Sequence, residues 1–111
     1  MADVTKILGV KNGSVAFAPV AIAATQTIAV GKDELTFVYV NNAQAAATNT
    51  ITVVKGNGIA SALGDYVIVI PQASSVIIGP LESARFADKN TGKITITASA
   101  VITTTIAVVQ L

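Results

Sequence analysis

The stretch DKNTGKITIT, Asp88–Thr97, shows in ten residues how this chain is built. Asp88–Gly92 has turn chemistry, because Asn and Gly accept the positive φ that tight turns demand. Lys93–Thr97 then alternates. Ile94 and Ile96 fall on one side and Thr95 and Thr97 on the other, the two-residue period of a half-buried strand.

The same pattern of strand and turn extends outward from this stretch. Thr48–Lys55 (TNTITVVK) sets Ile51 and Val53 opposite Thr50 and Thr52. Leu35–Val40 (LTFVYV) is apolar on one face and nearly so on the other, and Tyr66–Ile70 (YVIVI) is apolar on both, as a central strand would be. Ser75–Ile78 stops at Gly79-Pro80, and Ile102–Leu111 reads as a last strand, pinned in a sheet. Toward the N-terminus, Thr25–Val30 closes at Gly31-Lys32-Asp33. Ser14–Ala24 reads as an edge strand interrupted by Pro19. Val, Ile and Thr dominate, and strong helix formers other than Ala are scarce. These features predict an all-β sandwich, jelly-roll-like, of six to eight short antiparallel strands. Residues 1–111 form one domain, and 1–13, ending at the Asn12-Gly13 turn, reads as an N-terminal arm.

Composition narrows the chemistry. The 111 residues include no Cys, His or Trp, which removes disulfides, thiolate chemistry and nearly all common metal sites and nucleophilic triads. A net charge of +1, with the basic residues scattered, gives no footprint for nucleic acid or an anionic membrane. Asn12–Gly31 and Leu35–Val54 are long enough to span a bilayer, but their Asn, Gln, Thr and Pro19 do not suit one. The first residues lack the basic start and apolar block of a signal peptide. Only 12% of residues are charged, about half the usual share. So few charges cannot furnish a polar skin, which predicts a neutral surface partly covered by a partner.

The remaining motifs have ordinary explanations. Asp33, Glu34, Asp65, Glu82 and Asp88 all lie in or beside turns, without the His or pocket that acid–base catalysis needs. Asp88-x-Asn90-x-Gly92 has the opening of a calcium loop, but Lys89 and Lys93 flank it and no closing acid follows. Gly56-Asn57-Gly58 lacks the helix and Lys of a phosphate loop and reads as a flexible turn. Neither catalytic residue, cofactor nor metal is expected.

IGPLESARFADKNTGKITITASA, Ile78–Ala100, followed by TTIAVVQL, Thr104–Leu111, resembles the C-terminal half of small β-sandwich proteins encoded among tailed-phage structural genes. The resemblance lies in Ile78-Gly79-Pro80, Phe86, Asp88, Gly92, Ile94–Thr97 and Ala107–Leu111, and more loosely in Leu35–Val54. Leu81 after Gly79-Pro80 and the dense Ala43–Ala47 depart from it. The resemblance implies a bacteriophage virion protein, a capsid decoration protein on the head surface, assembled in the bacterial host cytoplasm. It implies a homo-oligomer, with a trimer favoured, that contacts the major capsid protein or another virion protein. A tail or head-fibre component and a carbohydrate- or surface-binding module are the alternatives. The residues expected at capsid or intersubunit contacts are Lys6, Ile7, Leu8 and Lys11 of the arm, and Leu81, Glu82, Arg85 and Phe86 of the Leu81–Thr91 loop. No nucleic-acid or membrane partner is expected.

Overall fold

The computed structural model describes residues 2–4, 6–10, 12–29, 35–79, 83–101 and 103–110. Strands β1 (Ala2–Val4), β2 (Lys6–Leu8), β3 (Val20–Ala21), β4 (Thr25–Ala29), β5 (Thr36–Asn42) and β6 (Asn49–Val53) lead to a 3-10 turn at Ser61–Leu63. There follow β7 (Tyr66–Ile70), β8 (Ser74–Ile78), a one-turn helix α1 (Ser83–Phe86), β9 (Ala87–Asp88), β10 (Lys93–Ala98) and β11 (Thr104–Gln110).

Two sheets result. One runs β1-β4-β10-β6-β7 with β9 added to β10; the other runs β2-β11-β5-β8 with β3 added to β11. Setting aside β1, β2 and β9, eight strands remain in chain order. The first, eighth, third and sixth form one sheet, and the second, seventh, fourth and fifth form the other. That is the strand order of a jelly roll, two interlocked Greek keys closed on one core. All six pairings among the eight are antiparallel.

The core follows the alternation in the sequence. Val38 and Val40 of β5, Ile51 and Val53 of β6, Ile94 and Ile96 of β10, and Ile106 and Val108 of β11 point inward and are sealed. Thr50, Thr52, Thr95 and Thr97 face outward, with Thr97 lying between Thr25 and Thr52. β-Branched side chains on both faces suit such a pleated surface.

Four expectations change. Val4 is core, and the N-terminal segment, read as an arm, pairs in parallel with both sheets: β1 with β4 and β2 with β11. The strands are therefore mixed in direction. Only Val20–Ala21 of Ser14–Ala24 is strand, and residues 14–18 ahead of Pro19 lie exposed. Tyr66–Ile70, apolar on both faces, is an edge strand, and Val67 and Val69 face outward with more than half their surface exposed. The Leu81–Thr91 segment is more than a loop, since it carries α1 and β9, and β9 forms a hairpin with β10.

Candidate interaction surface

The Asp88–Thr97 hairpin turns as its sequence suggests. Gly92 has φ 67°, its N–H donates to Asp88 O at 2.7 Å, and Asn90 N–H donates to Asp88 Oδ1 at 2.8 Å. Gly56-Asn57-Gly58, read as a flexible turn, latches this segment. A Cβ on Gly56 would sit 2.0 Å from Ala87 O, and one on Gly58 would sit 2.5 Å from Ala84 O. Backbone meets backbone there only because both side chains are missing. Asn57 Oδ1 accepts from Lys89 N–H at 2.7 Å.

Arg85 and Phe86, expected as anchors for a partner, serve the fold. Phe86 is buried in the core. The Arg85 guanidinium lies 4.7 Å from the Phe86 ring centroid, and its Nε donates to Gly64 O at 3.0 Å and Nη2 to Asp65 O at 3.3 Å. An aromatic and a cation beside it thus close the base of the β6–β7 loop. On β2, Lys6 and Ile7 are half-buried, and Lys6 Nζ donates to Gln110 Oε1 at 3.3 Å; only Leu8 is well exposed. The two groups do not form one patch, because β2 pairs with β11 while α1 packs against the 3-10 turn and β10. Lys11, Leu81 and Glu82 lie outside the described residues.

The topology gathers a different surface. Residues 22–24, 43–48, 71–73, 99–101 and 103 lie between strands at one end of the sandwich, and none is Asp, Glu, Lys or Arg. Main-chain bonds stitch these connections together: Ala43 N–H to Thr103 O at 2.9 Å, Ala73 N–H to Gln44 O at 2.9 Å, and Ala98 N–H to Ala24 O at 3.0 Å. Two fully buried asparagines secure them from beneath. Asn42 Nδ2 donates to Ala47, Ile70 and Pro71 carbonyls at 3.1–3.2 Å, and its Oδ1 accepts from Gln44 N–H and Nε2. Asn49 Nδ2 donates to Ala100 O at 2.8 Å and Thr104 Oγ1 at 2.9 Å, while its Oδ1 accepts from Ser99 Oγ and Ala100 N–H. Among the described residues no buried side-chain nitrogen or oxygen lacks a partner.

The opposite end is where Lys55, Asp65, Arg85, Asp88, Lys89 and Lys93 cluster, around the β6–β7 loop and the β9–β10 hairpin. The molecule is polarised, with charge at one end and small neutral residues at the other. The sequence contains the signal, four connections free of charge, but only the strand order places them together.

Among the described residues no cluster of three or more acidic side chains could hold a metal, and no helix is long and apolar enough to cross a membrane. A shallow groove between the β6–β7 loop and α1 is lined by Gly58, Ile59, Ala84, Ala87, Lys89 and Gly92. No model of a known protein family, no curated protein and no solved structure matches this chain.

Proposed function

We propose that this chain is a non-enzymatic structural protein of a tailed-phage virion, a decoration protein that binds the outside of the head and stabilises the shell. The observation that carries the reading is the neutral end. Its connections are uncharged, cross-linked by main-chain bonds and held by buried Asn42 and Asn49, so they offer a shaped surface that another protein can cover at little cost in desolvated charge. Interface cores are depleted of charge in the same way. Rigidity matters too, because a preordered surface loses little entropy on docking. The jelly roll is compatible with this role, as it is with others, so it is the surface and the resemblance over Leu35–Leu111 that support the reading. Head binding, self-association and a place on the virion surface belong to this proposal, with the neutral end as the docking face in place of Arg85 and Phe86.

The test is co-sedimentation of the purified protein with assembled phage heads that lack it. Saturable binding and heads that withstand higher temperature are the expected results. Failure to bind at high protein concentration overturns the reading.

A further inference from the structure

We infer that β7 is a self-pairing edge, through which two copies of this chain join into one continuous sheet by antiparallel β7–β7 pairing about a two-fold axis at Ile68. The inference rests on the self-association in the proposed function and specifies its geometry.

Both sheets end on the same side, at β7 and β8, which the Pro71–Ala73 turn joins. The opposite edges are finished with the short strands β1, β2 and β3, of two or three residues each. Among the described residues no strand covers β7 in this way. Its five residues, YVIVI, contain no charge, Pro or Gly, and no Asp, Glu, Lys or Arg occurs anywhere from Tyr66 to Leu81. Soluble proteins ordinarily protect an exposed edge with those very residues, because its open N–H and C=O groups template another strand. β8 carries two serines and places only Ile77 of its large apolar side chains outward, so β7 is the stronger template.

Which groups are open follows from parity. Thr50 turns its main chain toward β10: its O accepts from Ser99 N–H at 3.0 Å and its N–H donates to Ser99 Oγ at 2.9 Å. Main-chain direction alternates along a strand, so Asn49, Ile51 and Val53 turn toward β7. Their register partners are Ile70, Ile68 and Tyr66. The main chains of Val67 and Val69 therefore point away from β6, out of the open edge.

That parity specifies the partner. The occupant must be an extended strand offering two matching positions, and an uncharged one. A second β7 supplies both. With the axis at Ile68, Val67 of one copy faces Val69 of the other, and each such pair exchanges two hydrogen bonds. On the outer face, where Val67 and Val69 are 56% and 59% exposed, the four valines of the two copies become neighbours. The contact is isologous and closes on itself, as a two-fold dimer requires, so it departs from the three-fold assembly that the resemblance implies.

Sedimentation of the full chain at micromolar concentration, together with cysteine cross-linking, tests this. The wild type should sediment as a dimer. Val69→Pro should be monomeric with a dissociation constant raised at least tenfold, yet melt as the wild type does when both are diluted below the wild-type dissociation constant, since the lost N–H faces outward and the ladder to β6 stays whole. In a chain without cysteine, an oxidised mixture of Val67→Cys and Val69→Cys proteins should yield disulfide dimers. Neither should do so alone, because like positions across the axis are too far apart. A wild type that associates but is indifferent to Val69→Pro and forms no mixed disulfide overturns the edge pairing and leaves self-association standing. A trimer without these cross-links does the same, and a monomeric wild type overturns both.

Discussion

Asn49 Nδ2 donates to Thr104 Oγ1 at 2.9 Å, and both residues are sealed from solvent. The bond joins the start of β6 in one sheet to the start of β11 in the other, so it fixes how the two layers meet at the neutral end. Replacing Asn49 by Leu keeps the branched shape and heavy-atom count of the side chain but takes from the Ala100 N–H and C=O the partners that Asn49 supplies. Each orphaned buried group costs about 1–3 kcal/mol, so Asn49→Leu should lower unfolding free energy by several kcal/mol in urea titration. Thr104→Val removes one partner and should cost about 1 kcal/mol. A double-mutant cycle between the two sites should give a coupling of about 0.5–3 kcal/mol. Additive losses would show that the bond does not bind the layers together.

The glycines of the β6–β7 loop should separate by cause. Gly56→Ala places a methyl 2.0 Å from Ala87 O and must push β9 off the loop. Overpacking of this kind costs about 1–3 kcal/mol, and here the obstacle is backbone that cannot rotate away. Gly64 has φ 83° and ψ −170°, backbone that essentially only glycine adopts, and open space around its Cβ position, so Gly64→Ala carries backbone strain alone, about 1–3 kcal/mol. Chemical denaturation of both variants checks the order. A Gly56→Ala loss smaller than that of Gly64→Ala would mean that the close approach at Gly56 relaxes freely.

Arg85 and Phe86 should fail as partner contacts and matter as structure. Phe86→Ala opens the core and should cost about 3–5 kcal/mol. Arg85→Lys keeps the charge but cannot reproduce the guanidinium's contact with the Phe86 ring together with the fork to Gly64 and Asp65, so it should lose stability while leaving head binding unchanged. A large drop in binding at unchanged stability would restore Arg85 as a contact residue.

The β fold was legible because Ile94, Ile96, Ile51 and Val53 alternate with threonines, and burial on one face of a sheet imposes that period. β4, β7 and β10 fall close to their expected bounds for the same reason. Position within a sheet was less legible. YVIVI reads as a central strand because apolar residues on both faces normally mean cover on both faces, and nothing local reveals that Val67 and Val69 have none. The N-terminal strands are not legible in the sequence because β1 and β2 are three residues each and pair with β4 and β11, far away in sequence. As for function, the expected contacts lie in the N-terminal arm and the Leu81–Thr91 loop, whereas the surface that stands out is defined by missing charge and assembled by topology.

The neutral end gives the most direct separation of function from stability. Ala45, Ala46 and Gln72 are exposed there, so a charge at any of them meets water in the free protein. Ala46→Glu and Gln72→Lys should each leave unfolding free energy within about 0.5 kcal/mol of the wild type. On a head surface the same charge must be stripped of water without a partner, which costs several kcal/mol if it ends up buried. Binding to heads should then weaken more than tenfold for either variant and, because the penalty is desolvation, regardless of the sign introduced. Loss with one sign and gain with the other would instead mean that the docked surface is charged. Unchanged binding in both variants would move the contact away from this end, toward Leu8 and the strands around it.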